Sequence, residues 1–324
     1  MDIQDRKGLK RLAADKLEGS VQARKVVLIW AGVSALVSLV VSLISFLLDG
    51  QIADTGGLSG LGLRSFLSTV QALLSLANMA LMPFWSLGYI ACVLRFSQGE
   101  DCQPQCLLEG LRRFGPAFRM LLLRSLLYVG IALLAGNIAS FFFSLSPGSL
   151  PLYELLTLHE EAFAAGALSD EAAMEILRAM IPMLIGGALL CLAVMIPVSY
   201  RLRLAEFRLM DEPRCRARVS LLESNRLMRG NSLALFRLDI SFWWYFLAEF
   251  LAAGLCYGDI FLTALGIPLP MGSDLAFFLF YVLGLGAQVA LLCCKGNYVQ
   301  TTYALFYRAL ATGEEETDNP VNNL

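Results

Sequence analysis

Four side chains within the chain's apolar stretches could do chemistry that hydrocarbon does not otherwise allow: Glu249, Asn78, Asn137 and Gln288. A carboxylate in lipid is costly unless it is protonated, paired or turned toward a water-filled cavity, so Glu249 is the candidate centre of a proton or cation relay, with the three amides as partners. The other reading is a protonated Glu249 hydrogen-bonded to a neighbouring helix. A second set is cationic. Arg201, Arg203, Arg208, Arg214, Arg216, Arg218, Arg226 and Arg229, followed by Arg237, crowd the stretch between Tyr200 and Trp244. Guanidinium groups beside a membrane suit anionic lipid headgroups or a membrane or cytosolic protein partner. The same run can also serve only to fix topology.

Other chemistries find few residues. Tyr257-Gly258-Asp259 is faintly similar to the Gly-Asp element of intramembrane aspartyl proteases, but Asp239 and Asp259 lie 20 residues apart. On one helix that is about 30 Å, whereas a catalytic dyad needs contact. His159 is the single histidine, and His159-Glu160-Glu161 lacks the second histidine of a zinc helix. Cys102 and Cys106 read as incidental, because no further cysteine or histidine stands close to them in sequence. The other cysteines fall mostly in apolar runs, where a thiol packs as a small hydrophobe, and a secreted disulfide framework is not expected. With no Gly-rich phosphate loop and no Ser/His/Asp set, the expectation is a protein that is not an enzyme and carries no metal or cofactor. A net charge of −2 gives no support to nucleic-acid binding.

The elements that position these residues belong in lipid. Hydrophobic residues are 57% and charged residues 16% of 324 positions, and the mean hydropathy is +0.64, outside the range of a soluble domain. Charge-poor runs predict six membrane-spanning helices at about 26–48, 65–94, 120–145, 179–200, 238–265 and 274–294, each long enough to cross a core of about 30 Å. The architecture predicted is all-α, a polytopic helical membrane bundle with amphipathic interfacial helices. Residues 1–25, with Leu9, Leu12, Ala13, Leu17 and Val21 three or four apart among seven Lys and Arg, predict an amphipathic helix on the membrane surface or packed on neighbouring loops. Because the first apolar run is longer than a signal-peptide core, it is expected to be retained. Pro83 predicts a kink in the second span. Ser169 before Asp170-Glu171 predicts a capped helix start, and Gly230 a left-handed closing residue, with Ser232 starting the next helix. Gly266 to Ser273 reads as a tight turn, and 311–324 as a disordered acidic tail.

Orientation follows from charge. Of 25 Lys and Arg, 22 fall on one side of these spans and only Arg64 and Arg178 in the loops of the other, with Arg124 inside the third span. The positive-inside rule then predicts both termini in the cytoplasm.

Several blocks carry a resemblance: Y-R-L-R-L-A-E-F-R-L-M-D-E-P from Tyr200 to Pro213, S-N-R-L-M-R-G-N from Ser224 to Asn231, and L-F-R-L-D-I-S-F-W-W from Leu235 to Trp244. L-K-R-L-A-A-D-K-L-E-G from Leu9 to Gly19 and Y-V-Q-T-T-Y-A-L-F-Y from Tyr298 to Tyr307 extend it over nearly the whole chain. In these the chain resembles an uncharacterised, Firmicutes-type family of polytopic integral membrane proteins of unknown function. Departures are Asn297, Arg229 and a long 249–294 region. The resemblance implies a bacterial cytoplasmic (inner) membrane location and no particular reaction. The functional expectation is a non-enzymatic accessory or scaffold protein engaging lipids or a partner at the cytoplasmic face; the alternative is a small-solute permease or exporter using Glu249.

Overall fold

The computed structural model describes residues 5–18, 20–54, 61–100, 102–159, 169–264 and 273–318. Among these every regular element is helical. Of the turn predicted at 266–273 only Ser273 falls among the described residues, where it starts a helix, and the tail beyond Asp318 lies outside them. Among the described residues five helices are long and apolar enough to cross a membrane, or six if one bent pair forms a single span.

The chain divides into two compact units, residues 1–118 with 204–324, and residues 119–203. In the first, α1 (Arg6–Leu17) starts where Asp5 accepts the Gly8 amide at 3.0 Å, and α2 (Val21–Asp54) starts at Ser20, whose hydroxyl accepts the Ala23 amide at 3.1 Å. These caps satisfy amides that the first helical turn leaves without partners. Part of the predicted amphipathic stripe makes protein contacts, while Leu12 and Leu17 are half-buried and Val21, the first residue of α2, is exposed. Leu9 and Ala13 are buried, with α1 packed on the carboxy-terminal helix.

Helix α3 (Leu61–Gln98) runs unbroken through Pro83 and packs along α2. It ends at Gly99, whose φ of +79° is open to glycine at little cost and lets the Glu100 amide reach back to the Arg95 carbonyl at 3.1 Å. A 3-10 turn (Pro104–Leu108) and α4 (Glu109–Arg112) then lie directly on α3. Two glycines permit that approach. A Cβ on Gly88 would sit 1.8 Å from the Leu107 carbonyl oxygen, and one on Gly110 2.0 Å from that of Phe84.

The second unit contains most of α5 (Phe114–Ser144), then α6 (Leu150–Leu158) and α7 (Asp170–Leu202). Ser169 caps α7 as expected, accepting the Ala172 amide at 3.3 Å. α6 packs on α7.

Returning to the first unit, the chain forms α8 (Ala205–Asp211) and α9 (Ala217–Leu227). Gly230 takes φ +87°, the left-handed closure expected after Arg229. α10 (Ser232–Ile240) does begin at Ser232. Its hydroxyl, however, donates backward to the Met228 carbonyl at 3.0 Å instead of capping the new helix.

The fifth predicted span is corrected. Instead of one helix over 238–265 there are α10, α11 (Trp243–Leu255) and α12 (Gly258–Ala264), with α10 and α11 bent by 66°. Groups outside the helix favour the break. At Ser241 the hydroxyl donates to the Leu238 carbonyl at 2.5 Å, while Lys10 of α1 donates to the Ser241 carbonyl at 3.0 Å and Arg6 to that of Arg237 at 3.2 Å. Two cations therefore occupy the carbonyl end of α10, where unpaired acceptors and the helix dipole both favour positive charge.

The sixth span also differs. α13 (Ser273–Leu291) passes through a π-helical turn (Leu292–Gly296) into α14 (Asn297–Asp318), so helix continues well into the stretch expected to be a disordered tail. α14 is a core element: Thr301, Thr302, Tyr303, Ala304, Phe306 and Tyr307 are all buried.

Candidate functional site

The sequence blocks quoted above meet at one end of the first unit. From α14, the Tyr303 hydroxyl donates to Asp239 Oδ1 at 2.5 Å and the Tyr307 hydroxyl to Asp211 Oδ2 at 3.0 Å. These tyrosines are four apart, hence on one helical face, and each reaches a carboxylate from a different block. Phe207 stacks on Tyr307 at 5.9 Å, and Phe242 meets both Tyr298 and Tyr303. Lys10, from the amino-terminal block, sits 3.9 Å from the Phe242 ring centroid. Asp239 is thus held by a tyrosine. Burial lowers the Lys10 pKa, and the neighbouring Arg6 lowers it further.

The arginines separate by role. Arg208 bridges helices: its guanidinium pairs with Glu223 on α9 and with Glu212 at 3.0 Å. Arg113, from the turn before α5, donates to the carbonyls of Leu209 and Met210 at 3.1 and 3.2 Å, closing the end of α8. Arg201 and Arg226 are exposed, Arg203 is half-buried, and each interacts within the protein. Arg214, Arg216, Arg218 and Arg229 are exposed, and among the described residues their guanidiniums make no hydrogen bond or ion pair. Beside them Leu222 is 67% exposed and Val219 39%. This is a surface with both cations and apolar side chains to offer.

The predicted relay residues have separate surroundings. Glu249 is exposed on α11. Gln288 directs its amide to Cys256 Sγ at 3.9 Å, a weak contact. In the second unit the Asn137 amide donates to the Leu133 carbonyl of its own helix at 2.7 Å. Asn78 keeps a buried Oδ1 that has no hydrogen-bond partner among the described residues. His159 closes α6 through its backbone amide, which donates to Leu155.

The expectation that Cys102 and Cys106 have no third ligand nearby is corrected. Cys92, on α3, joins them, and all three Sγ atoms lie within 4.8 Å of one another with all three residues buried. Sequence reasoning missed Cys92 because it stands in an apolar run. The available signal was Gly99 followed by Pro104, which turns the chain back over the last turns of α3. Arg95 donates to Cys106 Sγ at 2.9 Å and pairs with Glu109. A hydrogen bond with Cys92, helped by Cys106 and the Arg95 guanidinium, holds the Cys102 thiol pKa down to about 7 against the opposing effects of burial and the Glu109 carboxylate. Burial pushes Cys106 up to about 11. A cavity of about 370 Å³, lined by Arg95, Gln103, Gln105, Cys106, Glu109 and Arg112, opens beside the cluster.

No curated protein and no solved structure matches the chain. A family model does match, over residues 1–314. The chain therefore belongs to the family described as Protein of unknown function (DUF975), and its apolar helices are compatible with a membrane protein.

Proposed function

We propose that this protein is a non-enzymatic accessory or scaffold protein of the bacterial inner membrane, with both termini in the cytoplasm, whose basic end holds anionic lipid headgroups. The observation that carries the reading is the division among the arginines. Arg208 is committed to internal ion pairs, whereas Arg214, Arg216, Arg218 and Arg229 stand exposed next to Leu222 and Val219. Cations above apolar side chains suit the boundary between headgroups and acyl chains, where each cation near an anionic surface contributes about 1 kcal/mol. The orientation rests on the segregation of Lys and Arg. A reporter fused after Pro147 is expected on the far side of the membrane; a cytoplasmic reporter there would overturn the assignment.

The test of the binding reading is native mass spectrometry of the purified chain, with retained lipid compared between the natural protein and Arg214→Gln/Arg216→Gln/Arg218→Gln. Anionic lipid should be lost from the triple variant and retained by a variant neutralising Arg112 alone. Equal retention of zwitterionic and anionic lipid by both proteins would sink the reading, and a retained protein in place of lipid would redirect it to a protein partner. The permease alternative needs polar groups that converge on Glu249. Among the described residues, Gln288 and Asn137 are turned to other partners.

A further inference from the structure

We propose that Cys92, Cys102 and Cys106 form a three-thiolate binding site for a thiophilic d10 cation, Zn²⁺ or Cu⁺. Buried cysteine is ordinarily a small apolar residue, and such thiols have no reason to face one another. Here they converge from three separate backbone settings: Cys92 from a turn of α3, Cys102 from the exit after Gly99, and Cys106 from the 3-10 turn. Their Sγ atoms lie within 4.8 Å of one another. Thiolates at about 2.3 Å from zinc stand about 3.8 Å apart in tetrahedral geometry, so about 1 Å of side-chain closure completes the shell. The scaffold beneath is rigid, because Gly88 and Gly110 lock the 3-10 turn and α4 onto α3 at backbone contact.

The surroundings meet the other needs of such a site. Three sulfurs without a histidine select soft or borderline cations over Mg²⁺ and Ca²⁺. The Arg95 guanidinium on Cys106 Sγ offsets the negative charge that three thiolates bring, and Glu109 orients that guanidinium. The cavity beside Cys106 gives ion and water a way in, and one water can complete a tetrahedral zinc shell. No redox step is required. Each thiol that binds loses its proton to solvent, so three neutral thiols and one Zn²⁺ give a tris-thiolate complex of charge −1 and three released protons. Bound metal would pin the end of α3 to the following connection. This inference stands apart from the lipid reading, since the cluster shares no residue with the exposed arginines.

The experiment uses the full chain, purified in detergent under reducing conditions without chelator, then loaded separately with Zn²⁺ and, anaerobically, with Cu⁺. Elemental analysis is expected to find about one equivalent of one of the two per chain, with the arms identifying which. In Cys92→Ser and Cys106→Ser variants the stoichiometry should fall about tenfold or more, whereas Cys294→Ser keeps it, and Arg95→Gln should weaken affinity about tenfold through the sulfur it orients. Because a Cys92 or Cys106 variant can fail to fold, X-ray absorption on the natural protein provides the second measurement. Three sulfurs at about 2.3 Å from zinc, or at thiolate distance from copper, are expected. A first shell of nitrogen and oxygen, no retained metal in either arm, or a stoichiometry unaffected in folded Cys92→Ser would overturn the proposal.

Discussion

Two apolar candidate spans behave differently: the most apolar stretch within Ser65–Gln98 is 44% buried by the rest of the chain, while that within Glu171–Asp211, a range that takes in α7 and α8, is 0% buried. The contrast extends to the units that contain them. In residues 119–203 the buried apolar side chains are few, among them Met120, Ala135, Ala172, Ile176 and Leu202. In the other unit a continuous core runs from Leu9 and Ala13 through Phe84, Leu87 and Val93 to Phe306 and Tyr307. Lipid tails are as apolar as leucine, so helices in hydrocarbon gain little by hiding apolar surface from each other, and association there depends on close packing and hydrogen bonds. In the other unit burial and polar pairing both contribute, and α1, α8, α9 and α14 carry many of those contacts. Hydrophobic content is thus a poor guide to which part of this molecule holds its shape.

Glycine substitutions should separate the two regions most sharply. Gly110→Ala or Gly88→Ala drives a methyl into a backbone carbonyl and is expected to destabilise the first unit by about 2 kcal/mol or more, read as a large fall in the thermal midpoint in detergent. Gly130→Ala and Gly186→Ala, in α5 and α7, meet nothing within 4 Å and should be neutral or stabilise by up to about 1 kcal/mol. Equal sensitivity at all four positions would break the comparison. Next in size, Tyr303→Phe removes a hydroxyl from Asp239 and should cost about 1–3 kcal/mol by chemical denaturation followed through tryptophan fluorescence. Its counterpart in the other unit, Asn137→Ala, gives up only a bond to its own helix and should stay within about 0.5 kcal/mol. Smaller again, Lys10→Met removes a cation from the carbonyl end of α10 and from the Phe242 ring. Its expected cost is about 1 kcal/mol, with earlier amide exchange at Ser241 and Phe242. Least of all, neutralising Arg214, Arg216 and Arg218 should move the thermal midpoint by less than about 1 °C while changing lipid retention, since exposed charges contribute little to stability.

The site was legible in pieces. Quoted as separate blocks, Tyr298 to Tyr307, Tyr200 to Pro213 and Leu235 to Trp244 already contained Tyr303, Tyr307, Asp211 and Asp239, but nothing in their spacing said that the two tyrosines hold the two aspartates. Arg208 and Arg218 look alike in sequence. Only the fold shows that one faces Glu223 and the other stands exposed. For Cys92 the local pattern pointed the wrong way, because a thiol in an apolar run is indistinguishable by composition from a packing residue.

The sequence by itself determined what local rules reach: helical spans from uninterrupted apolarity, the cap at Ser169, the left-handed Gly230 and the segregation of cations. Each depends on a residue and its near neighbours along the chain, and lipid demands little more of a span than apolarity and length. Tertiary structure alone decided that the fifth span breaks at Ser241, that helix continues through Gly296 to Asp318, and that three cysteines converge. These outcomes turn on partners far away in sequence: Lys10 for Ser241, Asp211 and Asp239 for the tyrosines of α14, and two glycines that let a connecting turn rest on α3. Contacts of that kind leave no periodic signal, because the free energy that selects them arises only when both segments are in place.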